Sequence, residues 1–531
     1  MTTDTSTAPT ESDALRSERP RTRAQRTRAR WGPAVWRRVG AAVASGLLLA
    51  AAYPPFDLGP LALVALVPLL WAWRGATPRR AALYGFWFGI AFFGVLLSWT
   101  WYFGAVAYAP LVAAGGAYIA APGALVAGLG RFGVRSPWLT GAAWVLFEQL
   151  RGRFPFGGLP WGETGAALHD LPVARSLASW GGVALVSLVV VVWNGLVLDA
   201  VIAARERARY ALVGAGAGVA LALVLVVLGH AARYDTTATG RLRVALLQGN
   251  DKNRELTRQE INARYLTESH FALAAKLDGP FDLIVFPESA LDTNPQTDVG
   301  LQARIAAVGA DHGSAVLVNA LTPAPQGGNF NTNLLYEPDG DLQGAYAKQH
   351  LVPFGEYVPL RDRLRFLDEL DQIPYDYEPG EGRRLFEVDG HQIGTIICFE
   401  SAFGPLVRDF VRDGAEVVVV TTNNRSYRRS GNAAQHLALG QMRAAETGRP
   451  VLHASISGIT GVIDSDGDVH DTTELFVNEV VTAEVTTARG RTPYVRYGDW
   501  VIWGSGLALV AAAAYGRWRH RPGRASSQTT P

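Results

Sequence analysis

Gly394-Thr395-Ile396-Ile397-Cys398-Phe399-Glu400-Ser401 places the only cysteine of this 531-residue chain at the end of a β-branched apolar run, with a carboxylate two residues later. A solitary cysteine cannot close an intrachain disulfide, so it serves packing, metal ligation or nucleophilic chemistry. Burial is the commonest use of a free thiol. The neighbours of Cys398 in the fold, and the compartment they occupy, decide between these uses.

The segments on either side of this run alternate between short strands and helices. Upstream, Leu242–Leu247 and Leu283–Phe286 read as strands, the second ending at Pro287-Glu288, and Ala315–Asn319 as a third. Helical periodicity covers Leu256–Leu277 and Leu301–His312, and a hairpin joins Leu334–Tyr336 to Gly344–Lys348 around Pro338-Asp339-Gly340-Asp341. Downstream come a helix at 402–413, the strand Val417–Thr422, a helix at about 433–447, and strands at Val451–Ala454 and Gly461–Asp464. Strand–helix alternation with extra hairpins predicts an α/β sandwich.

The flanks are different. Hydrophobic residues make up 49 % of the chain, there are 15 Trp, and the net charge is only +2, which gives no reason to expect nucleic acid. Residues 1–33 are polar and arginine-rich, without apolar periodicity, and are expected to lack fixed structure. A span needs about 17–25 mostly apolar residues. Candidate spans lie at 34–53, 58–73, 81–102, 105–130, 137–150, 180–203, 210–230 and 499–516. The expected organisation is a seven-helix membrane domain at 34–230, a soluble domain at 231–498, a closing span at 499–516 and a basic tail at 517–531. With basic flanks inside, the soluble domain falls on the outer face, although Arg151 and Arg153 then land on the wrong side. Immediate further spans and the lack of a clear small-residue cleavage site argue against a signal peptide. Gly214-Ala215-Gly216-Ala217-Gly218 follows no strand, so it reads as small-residue helix packing, not a nucleotide loop. Glu148-Gln149-Leu150-Arg151-Gly152 followed by Gly157-Gly158-Leu159-Pro160-Trp161-Gly162 reads as an interfacial loop or as a cap with an aromatic belt.

Three reactive residues share a placement: Glu288, Lys348 and Cys398 each stand at or just past a strand end. Side chains there converge on the ligand crevice of an α/β sheet. A carboxylate can take the thiol proton, the thiolate can attack an acyl carbon, and an ammonium can stabilise the oxyanion. Lys348 is unusual for another reason: of 49 Lys and Arg residues only Lys252, Lys276 and Lys348 are lysines. A chain that otherwise uses arginine for positive charge keeps a compact ammonium here.

Pro287-Glu288-Ser289-Ala290, Lys348-Gln349-His350-Leu351-Val352-Pro353-Phe354-Gly355-Glu356-Tyr357-Val358-Pro359 and Cys398-Phe399-Glu400 together resemble the Glu–Lys–Cys signature of the nitrilase superfamily. The middle motif and the order of spans are similar to its membrane branch, the bacterial apolipoprotein N-acyltransferases, over residues 35 to 516. That resemblance implies an αββα nitrilase-like domain between the last two of eight spans, on the outer face of the bacterial plasma membrane. It implies Glu288 as general base, Lys348 as oxyanion stabiliser and Cys398 as nucleophile, with Glu356 and Glu400 in support. It also implies a membrane phospholipid as acyl donor and the amine of a diacylglyceryl-cysteine apolipoprotein as acceptor. No Cys/His cluster has metal spacing, and no cofactor is expected. Two departures stand out. Asn423-Asn424-Arg425-Ser426-Tyr427-Arg428-Arg429 replaces the family's Asn-Asp-aromatic stretch, either as an exposed loop or as a headgroup contact, and Phe399 lacks the hydroxyl many relatives carry there. Residues 360–377 read as an amphipathic lid or as a helix packed on the domain.

Three other readings remain open on the residues: a membrane-tethered carbon–nitrogen hydrolase in which water resolves the thioester, an inert scaffold, and a Cys–His pair using His350 or His436.

Overall fold

The computed structural model describes residues 32–231 and 236–520, apart from 365, 367–369, 371, 372 and 374. The N-terminal tail therefore lies almost wholly outside the described residues, as does most of the basic tail; Arg517 and Arg519 belong to the last turn of a helix.

Residues after 235 build two six-stranded sheets. The first has the order β12-β1-β2-β3-β4-β5, from β1 (Thr236–Gln248), β2 (Leu283–Val285), β3 (Ala315–Pro323), β4 (Asn329–Tyr336), β5 (Leu342–Ala347) and β12 (Glu479–Gly490). The second has the order β11-β10-β9-β8-β7-β6, from β6 (Leu385–Val388), β7 (His391–Ile397), β8 (Val417–Thr422), β9 (Val451–Ser455), β10 (Gly461–Ile463) and β11 (Val469–His470). Each sheet has three parallel strands at its heart and antiparallel strands outside them. All six residues of β8 are buried, as a Val-Val-Val-Val-Thr-Thr run requires of a strand covered on both faces.

The sheets face one another through polar as well as apolar contacts. Asn333 of β4 donates to Thr395 of β7 at 2.6 Å and accepts from Thr421 of β8 at 3.0 Å. Helices Tyr265–Ala274 and Val299–His312 lie against the first sheet, and Gly404–Asp413 with Asn432–Thr447 against the second. The layering is αββα, and the α/β expectation holds.

Two elements differ from expectation. The stretch 256–277 is two helices, Arg258–Asn262 and Tyr265–Ala274, because Arg264 adopts a left-handed φ of 52° and pairs with Asp298 at 2.8 Å. The long strand β12, unforeseen in the sequence, pairs with β1 along nearly its whole length.

The apolar part forms α1 (Pro33–Ala50), α2 (Pro78–Leu96), α3 (Ala105–Arg131), α4 (Pro137–Arg151), α5 (Ala178–Arg205) and α6 (Arg209–Ala231). Among the described residues α3 and α5 are long and apolar enough to cross a membrane by length and composition. Three expected spans are altered. The segment 58–73 is broken into Gly59–Leu61, Ala62–Ala65 and Val67–Trp73; Asn194 of α5 satisfies the break, accepting from Leu66 N and donating to Ala62 O, each at 2.9 Å. The segment 81–102 ends as helix at Leu96 and continues as the 3₁₀ turn Ser98–Phe103. The segment 180–203 carries non-helical dihedrals at Gly181 and Gly182. Helices α2 and α3 touch through glycine: a Cβ on Gly89 would lie 2.6 Å from Gly116 Cα, so the backbones approach without side chains between them. In α6, Gly218 meets Leu196, while Gly214 and Gly216 face open space.

Arg151, at odds with the charge rule, is buried at the end of α4 and donates to Leu159 O at 2.6 Å and Trp161 O at 2.5 Å. The Gly-Pro-Trp segment is thus folded back onto its own helix end.

Candidate active site

β2 delivers Glu288, β5 delivers Lys348 and β7 delivers Cys398, each one to three residues past its strand end. The structure brings them together, with Glu356 as a fourth member. Lys348 Nζ lies 2.8 Å from Glu356 Oε1 and 3.8 Å from Glu288 Oε1, and the side chain is 1 % exposed. Asn331 of β4 bridges the carboxylates, donating to Glu288 Oε1 at 2.7 Å and Glu356 Oε1 at 3.1 Å. The second oxygen of each carboxylate accepts a backbone N–H: Asn423 N for Glu288 at 2.7 Å, Val352 N for Glu356 at 2.8 Å.

Cys398 has a φ of 50° and opens the 3₁₀ turn Cys398–Ala402. A non-glycine residue held left-handed carries strain that its surroundings must maintain. Burial pushes the thiol up to about 12; the charge of Glu288 adds to this, and the Lys348 ammonium and the Thr422 hydroxyl oppose it. Burial also raises the Glu288 carboxyl, with Lys348 opposing and Glu356 reinforcing. Burial works against the Lys348 ammonium, but the charges of Glu356 and Glu288 outweigh it and hold the proton on. A reluctant thiol beside a raised carboxyl and a permanent ammonium is suited to proton transfer in concert with attack.

Glu400 is placed differently. Its Oε1 accepts from Tyr346 Oη at 2.9 Å, Gln349 N at 2.7 Å and His350 N at 3.1 Å, and its Oε2 from Ile397 N at 2.8 Å. It fastens the segment after β5 to the segment after β7.

Neither histidine is directed at the thiol. His436 Nε2 lies 3.0 Å from Cys398 O and 2.7 Å from Ser401 Oγ, and burial pushes its pKa down to about 4. His350 packs on Phe403 with ring centres 4.2 Å apart, and burial lowers its pKa too.

The loop after β8 closes one side. Tyr427 packs edge-on against Trp99 and Phe103, at 4.8 and 5.7 Å between ring centres, and its hydroxyl feels the charges of Cys398 and Lys348. Arg425 pairs with Asp251 and Glu255, while Arg428 lies over Tyr102 and Arg429 over Phe476, so each cation has a protein partner. Of the expected lid, the described residues show one helical turn, Arg361–Leu364, while much of the rest lies outside them.

Sequence reasoning missed Asn331, Asn423 and Tyr427. The signal for the first was present: Asn329, Asn331 and Asn333 alternate along a strand whose inward positions should be apolar.

A carboxylate, an ammonium and a thiol converging from three strand ends of an αββα sandwich define a carbon–nitrogen hydrolase-type enzyme, and residues 243–493 match the Carbon-nitrogen hydrolase family model. Residues 45–196 match the model of the Apolipoprotein N-acyltransferase N-terminal domain. The Apolipoprotein N-acyltransferase of Methylococcus capsulatus is 34 % identical, over 92 % of this chain and 98 % of that protein. Those of Geobacter metallireducens and Pseudomonas putida are 33 % and 30 % identical, covering 90 % and 91 % of this chain and 95 % and 96 % of theirs. An amidase from Nesterenkonia sp. aligns at 16 % identity over 48 % of this chain and 94 % of its own, with a TM-score of 0.34. The chain belongs to the apolipoprotein N-acyltransferase family and is an acyltransferase.

Proposed function

We propose that the chain transfers an acyl chain from a membrane phospholipid, through a thioester on Cys398, to the N-terminal amine of a diacylglyceryl-cysteine lipoprotein. Glu288 takes the thiol proton as the sulfur attacks the ester carbonyl, and Lys348 faces the developing oxyanion. The ester C–O bond breaks and the lysophospholipid alkoxide leaves with the proton from Glu288. In the second half the amine attacks the thioester, its proton passes to Glu288, and the C–S bond breaks to return the thiol. A free α-amine has a pKa of about 8, so one carboxylate suffices as its base. Glu356 holds Lys348 and, with Asn331, sets its distance from Glu288.

The reading extends to placement: eight spans, counting the closing helix α8 (Trp500–Arg519) and the broken 58–73 segment, with the catalytic domain on the outer face of a bacterial plasma membrane. Burial of Arg151 against its own loop supports this, since it leaves that cation unexposed to the charge bias that orients spans.

The observation that carries the reaction is Lys348, wholly buried between Glu288 and Glu356 beside a strained Cys398. Incubation of the purified protein with phospholipid should add one acyl mass to Cys398, and a diacylated lipopeptide with a free amine should remove it. Absence of the adduct with every donor tried would refute the mechanism. Loss of the adduct to water alone, with ammonia released from small amides, would mark a hydrolase.

A further inference from the structure

Helix α5 restarts at Val183 after Gly181 (φ −154°, ψ 21°) and Gly182 (φ 71°, ψ −178°), so the Val183 N–H has no acceptor in its own helix. That acceptor comes from the catalytic domain. Glu446, on α7 (Asn432–Thr447), takes the Val183 N–H on Oε1 at 2.8 Å. Its Oε2 lies 2.8 Å from Arg443 Nε one turn earlier, and the two side chains are 2 % and 1 % exposed. Arg443 Nη1 in turn donates to Ala402 O at 3.0 Å and reaches Ser401 O at 3.5 Å. Both carbonyls belong to the turn that begins at Cys398.

The approach is close enough to need glycine on both sides. A Cβ on Gly182 would lie 2.8 Å from the Tyr494 ring and 3.2 Å from Glu446 Oε1. A Cβ on Gly404 would lie 3.0 Å from Glu446 Oε2 and 3.2 Å from Arg443 Nη1. Carboxylates are favoured at a helix start both by the free N–H groups and by the dipole, and a carboxylate fixed there fixes its guanidinium partner. Cys398 cannot keep a left-handed φ without such external restraint.

We infer that Glu446 and Arg443 are positioning residues for Cys398, and that the broken start of α5 orients them, so that a helix of the apolar module sets the geometry of the thiol. The inference rests on the reading of Cys398 as the acyl-carrying nucleophile. It explains why a helix otherwise so apolar is interrupted at two consecutive glycines directly opposite a buried ion pair.

The test measures the rate of acyl adduct formation on Cys398 in the full-length protein in detergent, against phospholipid concentration, for four variants. Gly182→Ala and Glu446→Gln disturb the relay sterically and by charge. Val183→Pro removes the donor N–H at a first helical position that proline tolerates. Asn194→Ala, further along α5, loses buried hydrogen bonds that do not involve α7. The first three should lower the limiting acylation rate by about ten- to a hundredfold, with the half-saturating phospholipid concentration unchanged. Asn194→Ala should lower the melting temperature and leave the rate as it is. Rates equal to that of the unmodified protein in the three relay variants, or a decline in Asn194→Ala matching theirs at equal loss of melting temperature, would overturn the inference. No adduct in the unmodified protein would instead overturn the role of Cys398.

Discussion

Lys348 and Glu356 are bound more tightly to each other, at 2.8 Å, than Lys348 is to Glu288, at 3.8 Å. The ammonium is therefore anchored on one carboxylate and only leans on the other, which leaves Glu288 free to gain and lose a proton. Glu356→Gln should let Lys348 swing to Glu288 and lock it as an ion pair. Acyl-adduct formation should fall about a hundredfold, with little change in secondary structure by circular dichroism.

With Glu288 as the proposed base, its raised carboxyl should set the acid limb of the pH profile. A base works only when ionised, so kcat/KM should decline as pH falls through a value above the ordinary carboxylate range. The stability sign is opposite to that of a paired surface acid. The folded state holds this proton where the unfolded chain has already released it, so ionisation lowers stability as pH rises from the unfolded value through the folded one. Glu288→Gln should consequently abolish the adduct while leaving the melting temperature at pH 7 unchanged or higher.

Asn331 is the shared donor of Glu288 and Glu356. Asn331→Leu removes both hydrogen bonds and raises the Glu288 carboxyl further, moving the acid limb further up in pH. The lost bonds to charged groups should cost about 1.5–3 kcal/mol in a denaturant titration.

Arg151→Met should loosen the fold-back of residues 152–162 onto α4 by leaving the carbonyls of Leu159 and Trp161 without their donor. A loss of about 1–3 kcal/mol is expected, visible as earlier thermal unfolding in detergent and faster proteolysis within that segment.

Much of the catalytic domain was legible because its strands announce themselves locally. Val417–Thr422 and the run ending at Ile397 are continuous β-branched segments, and reactive residues directly after them stand out. The strand β12 did not. Its sequence intersperses Val and Thr with Glu, Ala and Arg and has a half-exposed burial pattern, and what makes it a strand is a partner more than two hundred residues away. The candidate site was legible at its reactive members, Glu288, Lys348 and Cys398, and illegible at the amides around them. Asn331 and the Asn423 N–H matter through where they point, which spacing along a chain does not encode. Glu400, which the family resemblance implied as a supporting residue, accepts from Tyr346 and from the N–H groups of Gln349, His350 and Ile397, and so holds the backbone next to Lys348 and Cys398. The break in α5 also left a trace, Gly181-Gly182, whose meaning depends on a carboxylate from the other half of the chain.

The pairing of β1 with β12 also governs the order of events during synthesis. β1 is the first strand made after the apolar helices, and the strand that covers its outer edge is the last, ten residues before α8 begins. Until residues 479–490 emerge, β1 presents an open row of N–H and C=O groups, and its sheet lacks an edge. Contacts this remote in sequence are slow to close, so the newborn chain passes through a stage in which Glu288, Lys348 and Cys398 have all been made but the sheet bearing the first two is unfinished.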